Sequence, residues 1–106
     1  MIKCPNIFEK AGIVQFFEIS FELSWNLLKD YLEYEGTENL KTPRETLKKA
    51  FEIGIISDGH LWLEALTNRN RTSHIYDEIS ADRVINDISA FYIPLLREIE
   101  QYFDKI

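Results

Sequence analysis

The sequence predicts an all-α protein, folded as an up-and-down antiparallel bundle of four main helices in one domain over residues 1–106. Apolar residues recur at helical spacing in four segments, and no segment shows the two-residue alternation that is typical of a strand. Strong helix boundaries separate these segments. A chain of 106 residues has room for one core, but it is near the size at which oligomerisation adds useful burial, so we expect a dimer.

The first predicted helix runs from about Ile7 to Tyr34 and is apolar over a wide surface. Gly36 is expected to end it, because a residue in the left-handed conformation commonly follows a helix. The wide apolar surface implies burial on more than one side, either within the bundle or at a dimer seam. We expect its aromatic side chains to lie in the core, and Glu18 and Glu22 to lie on a solvated polar face.

The second helix is predicted to begin at Thr42-Pro43-Arg44-Glu45, with Thr42 as N-cap, Pro43 at the first position and Glu45 closing a capping box. It is expected to bury Leu47, Ala50 and Phe51 and to end at Gly54. Its exposed side is the most basic local surface of the chain and has two interpretations, ordinary solvated charge or contact with a phosphate-bearing ligand. The residues of this basic face are Lys41, Arg44, Lys48 and Lys49.

The third helix should be capped by Ser57 or Asp58, and its apolar stripe of Trp62, Ala65 and Leu66 continues at Arg69. A charge therefore falls where the pattern predicts a core residue. In one interpretation, Arg69 lays its methylene stem along the core and directs its guanidinium to solvent or to a carboxylate. In the other, Arg69 and His74 converge on a phosphate.

Convergence of Arg69 and His74 requires a break in the helix. Five positions on a continuous helix separate two side chains by roughly 140°. The intervening Asn70, Thr72 and Ser73 favour turns, because their side chains compete for backbone hydrogen bonds. Either the chain bends here, or two copies of the segment that carries Arg69 and His74 face each other across a dimer.

The last helix is predicted to be capped by Ser80 and to run to the C-terminus. Its apolar residues follow an unbroken three-four spacing, which is typical of the seam of a paired helix. Pro94 lies inside it, and we expect it to remove one backbone hydrogen bond and to kink the helix. The seam residues are Ile85, Ile88, Tyr92, Leu95, Ile99, Tyr102 and Ile106.

The composition restricts the possible functions. Twelve Lys and Arg against eighteen Asp and Glu give a net charge of −6, the wrong sign for holding nucleic acid by broad neutralisation of phosphates, so any RNA contact must be local. Cys4 is the only cysteine, so the sequence predicts no disulfide framework and no cysteine-based metal site. The apolar runs are too short to span a membrane. We expect a soluble cytoplasmic protein.

The segment Arg69-Asn70-x-x-x-His74-x-Tyr76 resembles the R-x4-H-x-Y signature of HEPN-domain proteins encoded beside a minimal nucleotidyltransferase. The likeness extends from about Val14 to the last helix, and it points to the subgroup described as nucleotidyltransferase substrate-binding subunits. Such relatives usually carry an additional N-terminal helix before the segment that corresponds to Phe17-Glu18, whereas few residues precede it here. The surface that this helix would cover is therefore expected to be exposed or to contact a partner. The further matching segments are Phe17-Glu18, Phe21-Glu22-Leu23-x-Trp25, Lys29-Asp30-Tyr31-Leu32, Gly36, Pro43-Arg44-Glu45, Ala50-Phe51-x-x-Gly54, Ile56-x-Asp58, Trp62 and Tyr76-Asp77-Glu78.

The resemblance implies a metal-independent endoribonuclease, the toxin of a two-gene toxin–antitoxin pair, with two copies of the motif meeting at the axis of a homodimer. His74 would be the general acid or base at the ribose 2′-hydroxyl, and Arg69 would hold the phosphate. Asn70 would orient the histidine or the RNA substrate. Neither a metal nor another cofactor is expected.

The resemblance also implies a minimal nucleotidyltransferase, encoded nearby, as the partner. That enzyme would transfer AMP to Tyr76 and silence the toxin. The alternative is a non-catalytic substrate-binding subunit that completes the active site of the nucleotidyltransferase. In that case Arg69, His74 and the basic face would contact a nucleotide or substrate.

Overall fold

The computed structural model describes residues 7–71 and 78–105 of the chain. The helices are α1 (Ile7–Tyr34), α2 (Pro43–Glu52), α3 (Gly59–Arg71), α4 (Glu78–Asp87) and α5 (Ile93–Asp104), with a π-helical segment (Ile88–Tyr92) between the last two. Since α4, the π-helical segment and α5 follow one another without a break, they form the last of four main helices. The described ranges contain no strand, and the prediction of an all-α bundle of four main helices is confirmed. None of the described helices is both long enough and apolar enough to span a membrane.

Helix α1 is the element against which the rest of the chain packs. Its 28 residues correspond to about 42 Å of helix, close to the 45 Å length of the molecule. It contacts α2, α3, α4 and α5. The side chains that α1 buries in these contacts are Phe17, Phe21, Leu28 and Leu32.

Two glycines end the first two helices by the same motif. The Thr37 N–H donates to the Leu32 carbonyl at 2.9 Å and the Gly36 N–H to the Glu33 carbonyl at 3.1 Å, with Gly36 at φ 101°. This is the Schellman arrangement, which needs a left-handed residue and therefore favours glycine. Gly54, at φ 88°, ends α2 in the same way. Both predicted helix ends are confirmed.

Polar side chains cap α2 and α3 at their N-termini. Thr42 Oγ1 accepts from the Glu45 N–H at 3.2 Å, while the Glu45 carboxylate accepts from the Lys41 N–H at 3.1 Å, one residue before the cap. The capping box at Thr42 is therefore present with its return bond shifted by one residue. Of the two candidate caps of α3, Asp58 makes the capping bond, accepting from the Leu61 N–H at 3.0 Å.

An aromatic cluster fills the core between α1, α3 and the π-helical segment. The ring of Phe17 stacks on that of Tyr92 with 5.3 Å between centroids, and the ring of Phe21 lies 5.7 Å from that of Trp62. All four side chains are fully buried. Because aromatic pairs add to the free energy gained by burial, this cluster fixes α3 and the π-helical segment to the middle of α1.

The expectation that the aromatic side chains of α1 lie in the core is wrong for Phe8, Phe16 and Tyr34, which are 83%, 59% and 86% exposed. Among the described residues, helix α1 packs with one side against the rest of the chain, and a row of apolar side chains on another side is exposed. We call this row the α1 apolar stripe; its members are Phe16, Ile19, Leu23 and Leu27.

Phe51 is also not the core residue that was predicted, since its side chain is about half exposed. It lies instead against the start of α3, where a Cβ atom placed on Gly59 would come within 2.8 Å of the Phe51 ring. The remaining predicted core residues of α2, Leu47 and Ala50, are fully buried. The ring of Phe51 thus covers a backbone position that has no space for a side chain.

The start of the last helix differs from the prediction. Helix α4 already includes Glu78 and Ile79, so Ser80 lies inside it and is not its N-cap. Val84 is buried here, whereas Ile85, the first predicted seam residue, is only partly buried.

A π-helical turn precedes Pro94. The Ile93 N–H donates to the Ile88 carbonyl, five residues earlier, and Pro94 follows as the second residue of α5. Because proline has no N–H to donate, the backbone hydrogen bond from residue 94 to the carbonyl four residues earlier cannot form. The inserted π-helical turn changes the register of the buried face, and for this reason the predicted seam holds from Ile88 to Tyr102 and not before Ile88. Ile106, the last residue of the predicted seam, lies outside the described residues.

Candidate functional site

Arg69 lies in the last turn of α3, directly after the buried Trp62, Ala65 and Leu66. Its guanidinium reaches α1, where Nη2 lies 3.0 Å from Oε2 of Glu22. The Arg69 side chain is 33% exposed. The first interpretation of Arg69, a side chain that passes along the core towards a carboxylate, therefore describes the geometry within the single chain.

The sequence predicts Glu22 on a solvated polar face, but its carboxylate also makes specific contacts. Its Oε2 atom accepts hydrogen bonds from Arg69 and from the indole N–H of Trp25, each at 3.0 Å. Trp25 lies three residues further along α1, so the indole and the carboxylate occupy the same side of the helix. Helix α1 thus presents a carboxylate to Arg69 that its own indole holds in place.

A shallow groove of about 370 Å³ opens beside this pair. Its wall combines the Arg69 cation with two carboxylates, an amide and two apolar side chains. A phosphate in this groove would gain from Arg69 and be repelled by the carboxylates, so binding would need a further positive group. The residues that line the groove are Gln15, Glu18, Ile19, Glu22, Leu23 and Arg69.

The other site residues predicted from sequence are only partly described. Asn70 follows Arg69 in α3 and is exposed. His74 and Tyr76 lie outside the described residues. The break predicted between Arg69 and His74 does not occur before the end of α3 at Arg71, and the rest of that interval also lies outside the described residues. The convergence of Arg69 and His74 stays a prediction.

A hydrogen-bonded group one residue before Arg69 connects α3 to the π-helical segment. Asn68 Nδ2 donates to the Tyr92 hydroxyl, and this hydroxyl donates to Oε1 of Glu64 at 3.2 Å. Burial raises the pKa of Tyr92 to about 12, and the adjacent Glu64 carboxylate acts in the same direction. The last turns of α3, which carry Arg69, are therefore anchored by a buried phenol.

The basic face on α2 lies apart from this groove. Arg44 and Lys48 are exposed, and Lys49 lies 3.5 Å from the carboxylate of Glu52 in its own helix. An exposed pair of this kind contributes little to stability. The geometry of Lys49 agrees with the interpretation of this face as solvated charge.

Sequence reasoning did not find Glu22 and Trp25 as partners of Arg69, nor the pair formed by Asn68 and Tyr92. Glu22 is 47 residues from Arg69 and Asn68 is 24 residues from Tyr92, so no local pattern joins them. The available signal was the segment Phe21-Glu22-Leu23-x-Trp25, which contributed to the family resemblance without an assigned role.

The described residues contain no group of three or more His, Cys, Asp or Glu side chains arranged to hold a metal ion. Glu18 and Glu22 both line the groove beside Arg69, one turn apart on α1. The chemistry that this part of the site offers is that of a guanidinium held close to carboxylates.

Comparison with known proteins identifies the family. Residues 3–105 match the family described as nucleotidyltransferase substrate binding protein like. The chain is 32% identical to the probable ribonuclease HepT of Haemophilus influenzae, over 87% of this chain and 70% of that protein. A crystal structure of a protein from Thermus thermophilus resembles it with a TM-score of 0.82 at 29% identity, covering 99% of this chain and 87% of that one. The chain therefore belongs to the nucleotidyltransferase substrate-binding family, of the HEPN type associated with minimal nucleotidyltransferases.

Proposed function

We propose that this protein is a metal-independent endoribonuclease that acts as a homodimer. The observation that carries the proposal is the position of Arg69, at the end of α3 and on the wall of an open groove, five residues before His74 in the chain. The likeness to a probable ribonuclease supports the same reaction class.

In the proposed reaction, His74 removes the proton from a ribose 2′-hydroxyl, and the 2′-oxygen attacks the adjacent phosphorus. The bond to the 5′-oxygen breaks, and that oxygen takes up a proton as it leaves. The products are a 2′,3′-cyclic phosphate and a 5′-hydroxyl end. Histidine suits this role because its ordinary pKa near 6.5 allows proton exchange near neutrality. Arg69 stabilises the charge that develops on the phosphate oxygens, and Asn70 orients the histidine or the substrate.

Two features of the surface support a homodimer. The α1 apolar stripe is exposed in the protomer, and its members Ile19 and Leu23 also line the groove beside Arg69. Pairing of two copies along this stripe would bury it and bring two grooves together. The second copy would add its own Arg69 and His74, which supplies the positive charge that a phosphate needs beside Glu18 and Glu22.

The proposed partner is a nucleotidyltransferase encoded nearby, which forms a toxin–antitoxin pair with this protein. Transfer of AMP from ATP to the Tyr76 hydroxyl forms a phosphodiester on the tyrosine and releases pyrophosphate. The product places a negative charge and a bulky group two residues from His74. Charge repulsion of RNA phosphate and obstruction of the groove would then silence the ribonuclease.

The test of the catalytic proposal is RNA cleavage in buffer that contains EDTA, with the products analysed for 2′,3′-cyclic phosphate ends. Arg69→Ala and His74→Ala should each abolish cleavage. Arg71→Ala and His60→Ala are matched controls, because both side chains are exposed and belong to α3, the helix that carries Arg69. Both variants should cleave at the wild-type rate. Equal inertness of the wild-type protein and both site variants would refute the ribonuclease proposal.

The second candidate is a non-catalytic subunit that binds substrate for the nucleotidyltransferase. The observation in its favour is the pairing of Arg69 with Glu22 in an acidic groove, in a chain whose net charge is −6. This candidate predicts no RNA cleavage, but a change in the nucleotidyltransferase's activity when this chain is added. The Arg69→Ala variant should then fail to produce that change.

A further inference from the structure

One carboxylate oxygen of Glu22 connects helix α1 with the end of helix α3, which carries Arg69. Oε2 accepts from the Arg69 guanidinium across the interface of α1 with α3, and from the Trp25 indole within α1. A carboxylate held by an indole of its own helix has few orientations left to it. The contact therefore places the end of a long, flexible side chain at one defined point beside the groove.

The contact is poorly suited to a purely structural role. The Glu22 side chain is 46% exposed and that of Arg69 is 33% exposed, and ion pairs in such positions contribute little to stability. The bundle is already held together by its buried aromatic cluster. The effect of the contact on the reaction rate would be larger than its effect on stability, because small displacements of a group that stabilises a transition state reduce rates strongly.

We infer that Glu22 is a positioning residue for the ribonuclease reaction, which holds the Arg69 guanidinium where the scissile phosphate binds. This inference rests on the proposed function. Glu22 does not touch the RNA in this scheme and acts entirely through Arg69. Trp25 supports it by fixing the carboxylate.

The contact between Glu22 and Arg69 also fits an inhibitory role, in which the carboxylate competes with the substrate. Kinetic measurements can distinguish this role from positioning. If the Glu22 carboxylate merely occupies the place of the substrate phosphate, its removal would strengthen RNA binding and lower KM. If Glu22 positions Arg69, its removal lowers kcat, because the loss is felt in the transition state, even where KM also falls because a repelling charge has left the groove.

The experiment measures kcat and KM for metal-free RNA cleavage by Glu22→Gln and Glu22→Ala. Glu22→Gln keeps the shape and an oxygen acceptor but removes the charge, whereas Glu22→Ala removes both. We expect kcat to fall about ten- to hundredfold in Glu22→Ala and less in Glu22→Gln, with KM no higher than in the wild type. Glu33→Gln, an exposed carboxylate on the same helix, is the control and should be unchanged.

Nuclear magnetic resonance of the Arg69 guanidinium supplies a second readout that does not depend on turnover. The Nη–H signals of Arg69 should be resolved from one another in the wild type, because the bond from Nη2 to Glu22 restrains rotation of the guanidinium, and they should be averaged in Glu22→Ala. The spectrum of the aromatic core should be retained in both proteins. Retention of that spectrum separates loss of positioning from unfolding. Resolved, unshifted Nη–H signals of Arg69 in Glu22→Ala would count against the inference.

The outcomes for this inference and for the proposed function are distinct. If the wild type cleaves RNA and both Glu22 variants cleave it equally well, the positioning role is refuted and the ribonuclease remains. A lower KM with an undiminished kcat would replace positioning by competition with the substrate. If the wild type does not cleave, the ribonuclease and the role of Glu22 in it both fail.

Discussion

Asn68 of α3 donates a hydrogen bond to the Tyr92 hydroxyl in the π-helical segment, 24 residues further along the chain. The same hydroxyl bonds to Glu64 one turn earlier in α3, and the Tyr92 ring stacks on Phe17 of α1. One buried side chain thus connects three elements. The π-helical turn therefore anchors the helix that carries Arg69, and π-helical turns often occur at functional sites.

Tyr92→Phe should destabilise the protein by about 1–2 kcal/mol, because it removes the hydroxyl from its hydrogen bonds with Asn68 and Glu64 while the stacked ring remains. The measurement is the free energy of unfolding from urea denaturation. Tyr34→Phe is the matched control, since the Tyr34 side chain is 86% exposed and should change stability by less than about 0.5 kcal/mol. Equal stability of Tyr92→Phe and the wild type would contradict a structural role for the hydroxyl.

Alkaline pH should destabilise the fold through Tyr92. Burial raises its pKa from 10.0 to about 12, so the folded state disfavours the phenolate. The corresponding stability is fully present below pH 10 and is lost as pH rises from about 10 towards 12. The hydrogen bond with Tyr102 and burial also raise the pKa of Tyr31 to about 12, which adds a parallel contribution.

The free energy of unfolding measured between about pH 9 and pH 12 tests this expectation. The wild type should lose stability over that range, and Tyr92→Phe should lose less because only the Tyr31 contribution remains of the two. Identical slopes for the two proteins would show that Tyr92 does not titrate in the way its surroundings predict.

Alanine substitutions at two helical glycines should have effects of opposite sign. A Cβ atom at Gly12, inside α1, would meet nothing within 4 Å, so Gly12→Ala should stabilise the protein by about 0.5–1 kcal/mol. At Gly59 a Cβ atom would come within 2.8 Å of the Phe51 ring, so Gly59→Ala should destabilise it by about 1–3 kcal/mol. Thermal or urea unfolding of the two variants measures both effects.

The explanation for Gly59 can be checked with a double variant. Phe51→Ala removes most of the ring that a Cβ atom at Gly59 would meet, so Gly59→Ala should cost less in the Phe51→Ala background than in the wild type. Strictly additive effects would show that the contact with Phe51 is not the cause.

Leu23→Glu should convert the proposed dimer into a monomer. Leu23 is 66% exposed in the protomer and lies in the middle of the α1 apolar stripe, so a charge there would be buried without a partner on pairing. Analytical ultracentrifugation measures the change in mass. Ile53→Glu is the control, because Ile53 is an exposed apolar residue outside the stripe and the mass should not change.

The outcome for Leu23→Glu also bears on catalysis. A monomeric variant should lose RNA cleavage, since each groove would lack the second copy of Arg69 and His74. A variant that remains dimeric would show that the stripe is not the interface between the copies.

Tyr76 should carry AMP after incubation of this protein with the neighbouring nucleotidyltransferase and ATP. Peptide mass spectrometry should place the added group on Tyr76, and the modified protein should no longer cleave RNA. Tyr76→Phe keeps the ring and removes the acceptor hydroxyl, so it should remain unmodified. Label on another residue, or no label at all, would contradict the proposed silencing.

The sequence by itself determined the number of main helices, the family and the ends of the first two helices. The ends of α1 and α2 and the caps of α2 and α3 depend on interactions within a few residues, such as the left-handed glycines and the Asp58 carboxylate, and these are readable locally. The signature around Arg69 is also a local pattern. The roles of His74, Asn70 and Tyr76 are predictions from that pattern.

Only the tertiary structure decided what surrounds Arg69 and which faces are covered. The pairing with Glu22 joins residues 47 positions apart, and it depends on how α3 lies against α1. The π-helical turn before Pro94 changed the register of the last helix, which a constant period cannot anticipate. Helical periodicity also could not tell which part of the wide apolar surface of α1 packs inside the protomer, because burial depends on which neighbours exist.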